Sequence, residues 1–323
     1  MKRILCVLVL LISYNGISQT YFYDDFNYDN FETLDSLFQN RVKTSFWRTE
    51  HAITNIDINE DGIIGKDELF KNTIITQDPF DNNNKVIRFE LNKVNPKFFA
   101  SYACDDSKND NVKTDAYLEG KYNKKKKLYC SGCKDSPLKK DLYEWRTHMN
   151  RNEIAIYGKN KKLYKTKKDH WFGLRMLIDE EFELDDVKNL EIVTQFHVTG
   201  KDAKYPPIAV IIIEGRFFLA VIKNNDGKRE LYDLGAVEKN KWVDWKMHLV
   251  LSNKDKKGLV EVWRDGNMIQ TIIGKNISKN YKMYLKIGIY KWGWWDCGLP
   301  ISNTQKKVIS FDKVWASKDN LQI

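Results

Sequence analysis

Two sets of residues have a spacing that chemistry can use. In the run DINEDGIIGKDE, residues 57–68, Asp57, Asn59 and Asp61 hold the first, third and fifth places, Gly62 the sixth, Ile63 the seventh and Glu68 the twelfth. A calcium loop presents its oxygens in this order, with the glycine for the sharp turn, a backbone carbonyl at the seventh place and a bidentate Glu at the end. The expected ligands of Ca2+ are therefore Asp57, Asn59, Asp61, the Ile63 carbonyl and Glu68. Sensor loops come in pairs and this one stands alone, far in sequence from the second set, so its expected role is structural.

The second set lies in three short runs that alternate with the period of a strand. In RNEIAIY, Arg151, Glu153, Ala155 and Tyr157 fall on one face, and Asn152, Ile154 and Ile156 on the other. In IVTQFHV, Val193, Gln195 and His197 share a face opposite Ile192, Thr194, Phe196 and Val198. In YLKIGIY, Tyr284, Lys286, Gly288 and Tyr290 oppose Leu285, Ile287 and Ile289. One such strand is an ordinary solvent face. Three that carry Arg, Gln, His, Lys and Tyr opposite apolar sides are expected to line a cleft.

The elements that must position these groups are strands. Short apolar or alternating runs such as KVIRFEL, WFGLRMLI, IAVIIIEG, FFLAVI, MHLVLS and LVEVWRDG are separated by Asn, Asp, Gly and Lys turns, the texture of an all-β sandwich. RDGN after LVEVW reads as a tight hairpin, with Asp265 and Gly266 suited to positive backbone angles. Helices are expected to be few and short, with a candidate at residues 30–42. No internal repeat or Pro-, Gly- or Ser-rich linker divides the chain, so residues 20–323 are expected to form one domain with a Lys- and Cys-rich insertion at about 104–140.

At 323 residues with 42% hydrophobic content, the chain can bury a sizeable core. Residues 1–19 read as a secretory signal peptide: Lys2 and Arg3 precede an apolar run too short to span a membrane, followed by small and polar residues. The mature protein is expected to be secreted or periplasmic and monomeric. Removing those two charges takes the formal net charge from +9 to +7. Such a basic exported chain suits an acidic partner, but no nucleic-acid motif accompanies the lysines, so nucleic acid is not the expected one. Four cysteines remain, Cys104, Cys130, Cys133 and Cys297, an even number that favours disulfides in an oxidising compartment and allows three pairings. CSGC lacks the second pair that would complete a zinc site.

RNEI, QFH and YLKIGIY, in this order, resemble the three signature strands of jelly-roll polysaccharide lyases, the alginate, glucuronan and heparin lyase I-like enzymes, with FDKVWA fitting a last strand. Asn152 and Phe196 depart from the residues typical of alginate lyases, which leaves the uronate open. The resemblance implies a concanavalin-like jelly-roll sandwich and cleavage of an anionic, uronic acid-containing polysaccharide by β-elimination. It further implies that Arg151, Gln195 and Lys286 neutralise the substrate carboxylate and that His197 and Tyr290 move protons, with His197 as base and Tyr290 as acid, or Tyr290 as both. Arg175, Tyr284, Trp292 and Trp294 are the expected substrate-binding residues, the tryptophans because indole faces stack on sugar rings. A lectin-like, calcium-dependent carbohydrate-binding sandwich is the alternative. A glycoside hydrolase would need paired carboxylates, and DEEFELDD reads instead as an acidic loop.

Overall fold

A computed structural model of the chain describes residues 20–28, 47–52, 73–93, 149–156, 166–185, 190–199, 205–224, 228–279, 282–292, 295–296, 299–300 and 302–320. The leader at 1–19, the helix expected at 30–42, the loop at 57–68 and all four cysteines lie outside these residues. The described residues contain no helix. None of them, accordingly, forms a helix long and apolar enough to cross a membrane.

The strands are β1 (Thr20–Asp24), β2 (Trp47–Ala52), β3 (Thr73–Asp78), β4 (Asp81–Asn92), β5 (Met149–Ile156), β6 (Asp169–Ile178), β7 (Glu191–Thr199), β8 (Ile208–Ile213), β9 (Arg216–Val221), β10 (Glu230–Ala236), β11 (Trp242–Val250), β12 (Leu259–Arg264), β13 (Asn267–Ile273), β14 (Lys282–Trp292), β15 (Trp295–Asp296), β16 (Leu299–Pro300) and β17 (Lys306–Ser317). One sheet runs β13-β12-β11-β6-β17-β4-β3, with β1 also paired to β17; the other runs β10-β9-β8-β7-β14-β5-β2. Their pairings are antiparallel, and the two sheets pack face to face as the expected jelly-roll sandwich. The runs KVIRFEL, WFGLRMLI and YLKIGIY fall inside β4, β6 and β14. The RDGN hairpin joins β12 to β13, with φ of +50° at Asp265 and +78° at Gly266.

The core is made by side chains that alternate inward from both sheets. Phe172 of β6 meets Phe196 of β7 edge-on at 4.7 Å, and Phe217 of β9 meets Trp245 of β11 at 5.2 Å. Asn152 also faces inward, fully buried. It accepts a hydrogen bond from the Thr73 hydroxyl and donates to the Glu90 carbonyl, tying β5 to the opposite sheet. A buried polar group in this position is stable because both ends of its amide are paired.

Alternation is broken where the strands bulge. The β7–β8 register shifts between Ile192 and Thr194, and the β14–β7 register shifts between Ile287 and Tyr290. Strict alternation places Val193 with Gln195 and His197; instead Val193 joins Phe196 and Val198 in the core, and Ile192 packs with Tyr290, Ala209 and Ile211 on the other face. An extra residue reverses the phase of every side chain beyond it.

The acidic run after β6 is a loop, as expected, but its last described residue turns inward. Asp185 accepts from Lys291 at 2.5 Å and from the Ser302 hydroxyl at 2.6 Å. Lys291 also reaches Glu191 at 3.0 Å, and Lys307 reaches the same Glu191 oxygen at 2.6 Å. Four charges are thus enclosed together, two of each sign.

Candidate active site

β14 lies between β5 and β7, which brings the three polar faces into one surface on the side of the sheet away from the core. Register sets the neighbours: Arg151 opposite Tyr290, Glu153 opposite Gly288, Gln195 opposite Lys286 and His197 opposite Tyr284. The row through Lys286 and Gln195 continues as Ala155 on one side and Ala209 and Ala220 on the other. These small side chains keep the surface low beside two long polar ones.

At the centre of this surface is a buried polar cluster. Glu153, Gln195 and Lys286 are each 1% exposed. The Gln195 Nε2 donates to Glu153 Oε1. Among the described residues Glu153 Oε2 accepts no hydrogen bond, but it lies 3.7 Å from the Lys286 ammonium and 3.9 Å from the Arg151 guanidinium. The close approach of the strands depends on Gly288. Its φ is +131°, and a Cβ there would fall 2.2 Å from the Asn152 carbonyl oxygen and 2.7 Å from the Glu153 Cα.

Each end of the cluster carries a tyrosine. At one end the Arg151 guanidinium lies over the Tyr290 ring, 4.3 Å from its centroid. Arg229, just before β10, interacts electrostatically with Tyr205 and Tyr290; burial holds its guanidinium below the usual range, and the two phenols act in the opposite direction. At the other end the rings of His197 and Tyr284 are 5.4 Å apart, and the Lys286 ammonium lies 5.7 Å from the Tyr284 ring. His197 Nδ1 contacts the Val198 carbonyl at 3.0 Å, so in the neutral ring Nδ1 carries the proton and Nε2 is the basic nitrogen.

The register separates His197 from Tyr290. Tyr290 stands six residues beyond Tyr284 on β14, and at about 3.3 Å per residue their backbones are on the order of 20 Å apart. The register sets His197 beside Tyr284 and Tyr290 beside Arg151. Each has a different companion: a cation for Tyr290, and a second phenol for His197.

Of the expected substrate-binding residues, Tyr284 belongs to this surface and Arg175 does not. Arg175 lies on β6 in the opposite sheet, paired with Asp312 at 3.1 Å and Asp244 at 3.4 Å and set over the Trp242 ring. Its core-facing neighbours Leu174 and Met176 turn it to the far side of the sandwich. Trp292 ends β14, opposite Met149; Trp294 lies outside the described residues, as do Asp57, Asn59, Asp61, Ile63 and Glu68. Among the described residues no three His, Cys, Asp or Glu side chains converge to hold a metal. Sequence reasoning put Glu153 on the polar face without a task, and missed Arg229 and Tyr205. Glu153 had a signal in its alternation, whereas Arg229 sits in a polar turn with no period.

A family model described as polysaccharide lyase matches residues 93–315. Among solved structures, the endo-β-1,4-glucuronan lyase of the fungus Trichoderma reesei superposes with a TM-score of 0.50 at 11% identity, covering 92% of this chain and 95% of that one. An alginate lyase of polysaccharide lyase family 7 superposes at 0.44 with 14% identity, over 84% of this chain and 93% of that one. An alginate lyase of Pseudomonas aeruginosa gives 0.37 and 16%, over 52% and 74%. No curated protein matches.

Proposed function

Because the chain belongs to the polysaccharide lyase family, whose model spans residues 93–315, we propose that it cleaves a uronic acid polymer by β-elimination, with Tyr290 as both base and acid. The observation that carries this reading is the placement of the Arg151 guanidinium across Tyr290 in the same cross-strand row, with His197 at the far end of the cluster. A base and an acid that share one side chain act on one face of the sugar. In D-glucuronate and D-mannuronate the C5 hydrogen and the C4 oxygen lie on the same face; in L-guluronate they lie on opposite faces. The reading therefore selects glucuronan or mannuronate-rich alginate. The glucuronan lyase named above supports it by its fold.

The step is balanced within the site. The Tyr290 phenolate takes the C5 proton, and the electrons of that bond move toward the uronate carboxylate, where charge accumulates. Arg151, with the amide of Gln195, binds that carboxylate and stabilises the enolate-like state by preorganised charge and hydrogen bonds. The electrons then form the C4–C5 double bond as the C4–O bond breaks. Tyr290 returns its proton to the departing glycosidic oxygen and is a phenolate again. Arg151 and Arg229 favour negative charge on this side chain through proximity. Tyr284, further along β14, and His197, opposite it on β7, contact a neighbouring sugar of the same chain.

The reading extends to residues outside the described ones. The donor set of the 57–68 loop is all oxygen, which fits Ca2+ and no soft metal, and its role is to brace the fold. The four cysteines pair as disulfides in an exported enzyme whose mature chain starts near Thr20. Incubating the purified protein with glucuronan, polymannuronate, polyguluronate and heparin, and following the ultraviolet absorbance of unsaturated ends, tests the proposal. Product from the first two polymers is expected. Cleavage of polyguluronate alone would overturn the single-residue mechanism, and no product from any polymer would overturn the lyase reading.

A further inference from the structure

The Glu153 carboxylate is an unusual group to find beneath a surface that binds a polyanion. It is 1% exposed, and its negative charge opposes the substrate carboxylate that Arg151 is placed to receive. Enclosing a carboxylate costs several kcal/mol unless cations and donors compensate it. Here the compensation comes from three side chains of the site itself: the Gln195 amide, the Lys286 ammonium at 3.7 Å and the Arg151 guanidinium at 3.9 Å. A carboxylate that served packing alone would have no need of these particular partners.

The chemistry of the partners says what the carboxylate does. A glutamine amide has a donor end and an acceptor end of nearly the same shape, and only the donor end can bind a substrate carboxylate. An ionised carboxylate accepts and never donates, so the Gln195 atom that meets Glu153 must be its NH2 group. That group has two hydrogens, and Glu153 takes one. The same carboxylate supplies counter-charge to the Lys286 ammonium, 3.7 Å away, on a residue set between Ala155 and Gln195 in the sheet. Gly288, opposite Glu153, lets β14 approach closely enough for these contacts.

We propose that Glu153 is a positioning residue for the elimination: its carboxylate fixes the Gln195 amide with the NH2 end at the site and anchors the Lys286 ammonium beneath it. The uronate carboxylate then meets donors only, with no acceptor end turned against it. The inference rests on the lyase reading above, and its test separates the two.

Glu153→Gln keeps the shape but can itself donate or accept, so it no longer fixes the orientation of Gln195. With the polymer that the wild type cleaves, Glu153→Gln is expected to lose about 10- to 100-fold in kcat, the range for a misplaced group near the reacting atoms, with KM within about threefold. Because the effect passes through Gln195, the same substitution in a Gln195→Ala background is expected to cost less than about twofold more. A merely structural role predicts multiplicative losses in the double variant and a KM that moves with kcat; either result overturns the proposal, as does full activity in Glu153→Gln. If Glu153→Gln does not fold, Glu153→Gln/Lys286→Met, which removes the enclosed ammonium as well, is compared with Lys286→Met. A further tenfold loss supports the role and equal activity overturns it. Absence of product with the wild type overturns the lyase reading and this inference together, whereas an active wild type with an unaffected Glu153→Gln removes only the inference.

Discussion

The guanidinium of Arg151 lies 4.3 Å from the centroid of the Tyr290 ring, across a pairing of β5 and β14 that sets the two residues directly opposite each other. Removing only the phenol oxygen leaves this stacking in place and takes away the group that moves the proton. Tyr290→Phe is therefore expected to lower turnover by about 10²-fold or more, the range for general acid–base groups, while polymer binding persists. Steady-state rates paired with binding to the same polymer check it; a variant with full turnover would exclude Tyr290 from the chemistry.

His197 gives the contrasting case. Its ring packs against Tyr284 and its Nδ1 is engaged by the Val198 carbonyl, six strand positions from Tyr290. His197→Ala is expected to raise KM and to change kcat by less than about tenfold, because it removes binding to a neighbouring sugar rather than the base. A loss in kcat as large as that of Tyr290→Phe would reassign the base to His197.

Gly288 is the position where the strand geometry leaves no alternative residue. A φ of +131° is open to glycine and strained for any L side chain, and the added Cβ would meet backbone atoms of Asn152 and Glu153, which cannot swing aside. Gly288→Ala is expected to cost about 1–3 kcal/mol from backbone strain alone, with more from displacement of β5. Denaturant unfolding measures the stability, and lyase assays on the folded fraction should show a loss as well, since Glu153 and Arg151 ride on the displaced strand.

The three polar faces were legible because β5 and most of β14 alternate without interruption, so Arg151, Glu153, Lys286 and Tyr284 stand where a period of two puts them. The bulges were not legible. Ile192 and Val193 are both apolar, and nothing in their side chains marks which one an extra residue turns toward the core. Arg175 shows the limit of a different signal: a cation between apolar neighbours reads the same on either sheet, and only pairing order places β6 in the sheet opposite β14. The resemblance left open His197 as base with Tyr290 as acid, or Tyr290 as both; antiparallel register sets His197 opposite Tyr284, six residues along β14 from Tyr290. That relation needs the pairing, which no single run of sequence contains.

The 57–68 loop offers a test independent of activity. Calcium added to metal-stripped protein is expected to raise the melting temperature, and Glu68→Ala, which removes the bidentate ligand, should abolish the shift. An unchanged melting temperature on addition of calcium to the stripped wild type would reject the site.

The enclosed charges of Asp185, Glu191, Lys291 and Lys307 make stability depend on pH in a direction that can be worked out. Burial pushes the Asp185 carboxyl up, but hydrogen bonds from Lys291 and Ser302 and the charges of Lys291 and Lys307 outweigh it and hold the group below the usual carboxylate range. A carboxyl with a lowered folded-state pKa binds its proton more readily when unfolded. Its contribution is therefore fully present above the unfolded value of about 3.9 and is lost as pH falls through the folded value. Lys307 contributes with the same slope at the alkaline end: burial lowers its ammonium pKa, so the folded state gives up that proton first and stability rises as pH climbs between its folded and unfolded values. Asp185→Asn is expected to flatten the acid limb of a stability–pH curve measured by denaturant unfolding. Lys291→Met, which leaves Asp185 and Glu191 without their shared cation, should cost about 3–5 kcal/mol near neutral pH. If Asp185→Asn leaves the acid limb unchanged, the acid sensitivity belongs to other carboxylates and this cluster does not set it.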